Sequence, residues 1–170
     1  GRKMLKKLVL DLSGEDDELR WRAAIALARA GAPAVPCLIE ALGHDNPAVQ
    51  VAAAHAVRDM REPGAAVVPA LVANLSRRGT WEAHQVGTPI EVRRTAMGAL
   101  AQLGKPALEA VPALVAVLRD NELEGLDAPQ RHLKTIFELR GTAAWVLHKL
   151  GPEAARRDRE VIPALATALG

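Results

Sequence analysis

Val35-Pro36-Cys37-Leu38-Ile39-Glu40-Ala41-Leu42 decides the fold. Its apolar positions fall at i, i+3, i+4 and i+7, which is one face of an α-helix and not the two-residue alternation of a strand. The phrase returns at Val68–Leu75, at Val111–Leu118 and at 162–169, with a degenerate copy at 5–12. The chain therefore writes one short helix five times.

A second phrase alternates with the first. It reads Leu19-Arg20-Trp21-Arg22-Ala23-Ala24-Ile25-Ala26-Leu27 and recurs at 49–57, 92–100 and 139–147. The unequal spacing of these copies describes a helix pair joined by connections of varying length, and periods of this size signal a solenoid. The predicted division is a half repeat at 1–13 and repeats at 14–43, 44–76, 88–119 and 128–170, with insertions at 77–87 and 120–127. All of it forms one array. A smaller insertion is expected at 152–160.

Composition agrees. Of 170 residues, 49% are hydrophobic but only 2% aromatic, with no Tyr and one Phe, so the core must be built from Ala, Leu and Val. Such thin helices stack closely, yet each pair buries little alone and depends on its neighbours. The lone Cys37 excludes an internal disulfide. No apolar run approaches the ~20 residues that span a bilayer, so no membrane partner is expected.

These residues resemble the HEAT-repeat family, including the short repeats of the phycobilisome-lyase type. The likeness rests on Arg20, Arg93 and Arg140 in the longer helix, on its Ala-Ala-x-Ala-Leu core, on Gly31, Gly104 and Gly151 after it, and on Pro36, Pro69, Pro112 and Pro163 in the shorter helix. It covers nearly the whole chain and implies an all-α fold, an α–α superhelix of about four and a half helix pairs and about nine helices. Departures are local: Gln50 replaces the Arg in the second copy, Gly141 and Thr142 interrupt the fourth, and Lys6 stands where the half repeat would carry Pro.

The resemblance also implies which surface faces a partner. In such arrays the shorter helix lines the concave side, and its variable positions form columns here: Cys37, Ala70, Ala113 and Ala164; Glu40, Ala73, Ala116 and Thr167; Ala41, Asn74, Val117 and Ala168. That groove is small and mostly uncharged. Arg20, Arg93 and Arg140 are expected to form a structural ladder, with Asp17, Asp45 and Glu91 as candidate partners. His55 aligns with Ile25, Gly98 and Trp145 and is expected to face outward.

Insertions in repeat proteins gather where binding happens. Arg77, Arg78, Trp81 and His84 in the first insertion are thus a candidate partner-binding loop. The plainer alternative has Trp81 folding back over the apolar edge, with Arg77 and Arg78 meeting the acidic second insertion.

Other functions lack their parts. A nucleic-acid backbone requires Lys and Arg, with aromatic platforms for single strands. The net charge is only +2, the groove columns hold no Lys or Arg, and the basic runs lie near the ends. The His residues are followed by Asp45, Ala56, Gln85, Leu133 and Lys149, which offers no repeated His-Glu ligand pairs, and neither metal nor cofactor is expected. Cys37 occupies a small-residue column and reads as structural rather than nucleophilic.

The sequence therefore points to a non-catalytic scaffolding or protein-interaction module that binds a peptide, a helix or a neighbouring domain. The alternatives are an accessory domain of an enzyme, a bilin-lyase-like protein and, least favoured, a nucleic-acid-binding array. The chain opens in a half repeat and closes on Ala-Leu-Gly without a polar cap, so a piece of a longer protein is expected. Self-association through uncapped ends is the competing expectation.

Overall fold

Helix periodicity is realised along the chain. The computed structural model describes residues 1–76, 89–119 and 130–170, and among these the regular elements are helical, with no strand. The long helices, written by the second phrase, are α2 (Asp17–Ala30), α4 (Pro47–Asp59), α6 (Pro89–Leu103) and α8 (Gln130–Leu150). The short ones are α1 (Arg2–Ser13), α3 (Val35–Leu42), α5 (Val68–Leu75), α7 (Val111–Leu118) and α10 (Val161–Leu169). A further single turn and a half, α9 (Pro152–Arg157), occupies the expected small insertion and brings the described α-helices to ten.

Local chemistry sets the boundaries. Asp16 Oδ1 accepts a hydrogen bond from the Leu19 N–H at 3.1 Å, and Asn46 Oδ1 accepts one from Ala48 N–H at 3.0 Å, so α2 and α4 start on side-chain caps. Pro36, Pro69 and Pro112 sit in the first turn of their helices, where the missing N–H would have no partner anyway. Each long helix gives way to its short successor through a glycine with positive φ: Gly31 (71°), Gly64 (77°), Gly104 (69°) and Gly151 (78°). Side chains avoid this backbone region, so the glycine is what allows the chain to turn. After it, a 3-10 turn (Ala32–Ala34, Ala65–Val67 or Lys105–Ala110) or α9 leads into the next helix. Ala34, Val67, Ala107 and Ala154 pin these connections into the core, each with 1% exposure or less.

The helices form two layers. The long helices pack in chain order, α2 on α4 on α6 on α8, and the short helices touch more sparingly from α1 through α3, α5 and α7 to α10. Within this double layer the closest chain-neighbouring pairs are α1 with α2, α3 with α4, α5 with α6 and α7 with α8. Each packed hairpin thus joins the short helix of one unit to the long helix of the next. Residues 77–88 and 120–129 fall in the α5–α6 and α7–α8 connections.

Small side chains make this stacking close. In α4, Ala52, Ala53 and Ala54 have no exposed surface, so neighbours enclose three consecutive positions around the helix. Leu12, Leu27, Leu38, Leu42, Leu71, Leu100 and Leu114 fill the space between layers. A helix apolar all round is stable only when buried on several sides, as the middle of a stack provides.

Two faces differ from the sequence reading. Asn74, expected in the groove, is 4% exposed, and its column-mates Ala41 (6%) and Val117 (4%) are buried with it. A short helix flanked by two others buries a wider arc than one apolar stripe. On α10, which packs against α7, α8 and α9, Val161 and Ala164 are buried while Ile162 is 66% exposed. Ala164 therefore does not line the groove either.

Candidate functional site

The outward face of the short-helix layer is built from a repeated motif. Pro36 and Glu40 on α3, Pro69 and Ala73 on α5, and Pro112 and Ala116 on α7 are exposed, one helical turn apart. Between these rows Cys37, Ala70 and Ala113 are half-buried and form the floor. Thr167 is exposed on α10, with its hydroxyl donating to Pro163 O at 3.0 Å. The structure thus brings Cys37, Glu40, Ala70, Ala113, Ala116 and Thr167 to one layer and withdraws Asn74 from it. From α3 to α7 these positions carry Glu40 as their one charge and otherwise Pro, Cys and Ala.

Asn74 instead belongs to a buried polar contact that sequence reasoning missed. Gln50 Nε2 donates to Leu42 O at 3.1 Å and to Asn74 Oδ1 at 3.3 Å, linking α4 to both α3 and α5. Gln50 Oε1 and Asn74 Nδ2 are buried without a hydrogen-bond partner among the described residues. Two Asn/Gln side chains at 50 and 74 were the available signal, but nothing in a single sequence pairs them.

Gln50 stands where its sister repeats carry Arg. Arg20, 4% exposed, donates from Nε to Leu12 O at 3.2 Å, reaches Gly14 O, and pairs with Asp17. Leu12 and Leu42 hold the same position of their helices, so Arg20 and Gln50 both satisfy carbonyl groups left unpaired at a helix C-terminus. Arg93 and Arg140 are half-buried at the equivalent positions of α6 and α8. Arg77, Arg78, Trp81 and His84, the candidate loop, lie outside the described residues.

The opposite face carries the aromatics. Trp21 on α2 meets His55 on α4 edge-on, with ring centroids 5.1 Å apart. His55, expected to face outward, is half-buried beneath this contact. Burial, and then the nearby Arg58 charge, lower its pKa from the ordinary histidine value, with Asp59 and Glu91 opposing. Trp145 is half exposed, with the Lys149 ammonium 5.1 Å from its ring centroid. Among the described residues no three His, Cys, Asp or Glu side chains converge as a metal site would require, and no helix is long and apolar enough to cross a membrane.

Comparison with known proteins now bears on the stacked hairpins and their recurring glycine. The model of HEAT repeats matches residues 5–86, and the model of the PBS lyase HEAT-like repeat matches residues 92–120. The chain belongs to the HEAT-repeat family. Two crystal structures of engineered proteins from the Northeast Structural Genomics Consortium are similar in fold. One, at 22% identity and a TM-score of 0.56, covers 97% of this chain and 71% of its own. The other, at 23% identity and a TM-score of 0.51, also covers 97% of this chain, which spans 41% of that longer protein. No curated protein matches the chain. HEAT repeats generally mediate contacts between proteins or serve as scaffolds.

Proposed function

We propose that this HEAT array is a non-catalytic interaction module that receives an extended peptide, a helix or a neighbouring domain across its short-helix layer. The observation that carries this reading is the row of exposed Pro36, Pro69 and Pro112, joined one turn on by Glu40, Ala73 and Ala116, beside the half-buried Cys37, Ala70 and Ala113. A surface of this kind lets a backbone or helix approach closely without displacing bulky or strongly hydrated groups, and recognition then comes from shape and main-chain contact. Arg20 and Gln50 are occupied in fastening hairpins and serve the architecture of that surface.

The test is a peptide-display selection against the whole chain, followed by affinity measurement with the double variant Ala113→Glu/Ala116→Glu. Both changes lie on an exposed or half-exposed face, so circular dichroism should show an unchanged fold. Peptides that bind across the layer should lose at least tenfold in affinity. Selected peptides that bind the double variant as well as the parent would contradict the proposal and direct attention to the insertion bearing Trp81.

A further inference from the structure

The short-helix layer changes character at α1. The equivalents of Pro36 and Glu40 are Lys6 and Leu10, and Leu10 is 71% exposed. Between α1 and α3 runs a groove of about 470 Å³, with Leu5, Val9, Leu10 and Cys37 as its apolar surface. Arg2 and Lys6, one turn apart on the same row as Leu10, form one wall, and Glu40 stands on the other. Lys3 and Lys7 form an adjacent exposed row. No ion pair involves any of these four cations among the described residues.

Within two turns α1 carries four like charges, Arg2, Lys3, Lys6 and Lys7, and no acid among residues 2–7. Arg2 with Lys6 and Lys3 with Lys7 stand one turn apart, where like charges on a helix repel each other, and an anionic partner relieves that repulsion.

Resting on the interaction reading above, we infer that the α1–α3 groove is an anchoring site on the binding face and takes an acidic amphipathic helix of a partner protein. Its aliphatic side chains enter between Leu5, Val9 and Cys37, and its carboxylates lie along Arg2, Lys3, Lys6 and Lys7. The charge of α1 selects an anionic partner. The recessed aliphatic floor selects one that also brings apolar side chains, and it lacks the aromatic platforms that stack nucleic-acid bases. Glu40 on the facing wall disfavours a uniformly anionic surface such as a membrane and restricts the carboxylates to one side.

The probe is a fluorescein-labelled helical peptide with Leu at i, i+3, i+4 and i+7 and Glu at its other charged positions, compared with a twin in which Lys replaces Glu. Fluorescence anisotropy should show the Glu peptide binding the whole chain at least tenfold more tightly, with at least a fivefold loss between 50 and 500 mM salt. Arg2→Glu/Lys6→Glu should erase the preference, and Glu40→Gln should tighten binding two- to threefold. Circular dichroism checks each variant, and Lys3→Gln/Lys7→Gln, which removes charge without reversing it, should give an intermediate loss. Equal binding of the two peptides, or unchanged binding by Arg2→Glu/Lys6→Glu, overturns the inference. So does tighter binding to phosphatidylserine vesicles than to the Glu peptide, or a concentration-dependent dimer that Leu10→Asp dissolves. If Ala113→Glu/Ala116→Glu abolishes capture of display-selected peptides while Arg2→Glu/Lys6→Glu does not, the interaction reading stands and only this inference fails.

Discussion

The α1–α2 and α3–α4 hairpins solve one problem with different residues. Both must satisfy the carbonyls at the end of a short helix where it turns into a long one. In the first, Arg20 spreads its guanidinium over Leu12 O, Gly14 O and Asp17. In the second, Gln50 reaches only Leu42 O and spends its remaining donor on Asn74, leaving Gln50 Oε1 and Asn74 Nδ2 buried without partners among the described residues. A planar cation closes the hairpin with a bond from each of its three nitrogens, whereas an amide ties three helices together at the cost of orphaned polar atoms. The repeat position thus specifies a donor to a helix end, and the identity of the donor decides whether the joint is local or spans neighbouring units.

Breaking the first joint should have the largest consequence. Arg20→Ala removes several hydrogen bonds from a charged donor and leaves buried carbonyls unpaired, so a loss of about 3 kcal/mol is expected. Urea titration measures it, and Arg20→Gln, which can imitate Gln50, should recover roughly half. If Arg20→Ala and Arg20→Gln are equally damaging, the two hairpins do not share a mechanism.

The second joint should respond less. Asn74→Leu removes one orphaned donor, Asn74 Nδ2, but takes away the acceptor of a Gln50 Nε2 hydrogen and so leaves another, while it substitutes the apolar character that Val117 has in the next unit; stability should change by less than about 1 kcal/mol. Calorimetry decides this, and a drop of more than about 1 kcal/mol would mean that the Gln50–Asn74 bond outweighs the buried groups it leaves unpaired.

A smaller effect links the same helices on the opposite face. His55 on α4 is half-buried against Trp21 of α2, with a lowered pKa. The unfolded chain then binds the proton more readily than the folded one, so His55 contributes stability above pH 6.5 that is lost as pH falls through its lower folded-state value. Denaturation midpoints should decline over that window in the parent and decline less in His55→Leu. Identical profiles would show that burial under Trp21 does not govern the titration.

The sequence carries the periodic features of this architecture and misses contacts between units. The recurring i, i+3, i+4, i+7 phrase located the short helices, and Gly31, Gly104 and Gly151 marked three of the four turns. Gly64 lies outside that pattern because Glu62-Pro63 separates it from the helical phrase, although Pro-Gly is itself a turn signal. The faces of Asn74, Ala164 and His55 are not legible, because each is set by neighbouring helices: Gln50 reaches Asn74, the packing of α10 against α7, α8 and α9 buries Ala164, and Trp21 meets His55. Periodicity describes one helix and its own stripe. A stack buries additional arcs according to what lies on either side, as α4 between α2 and α6 shows.

Cys37 offers the most direct test of the central claim that partners lie across the short-helix layer. It is the single cysteine of the chain and sits half-buried between the α1–α3 groove and the Pro-Ala rows. Its alkylation rate by iodoacetamide can be followed by mass spectrometry with and without a saturating display-selected peptide. Occupation of the layer predicts at least tenfold protection of the thiol. An unchanged rate with the peptide fully bound would contradict the account.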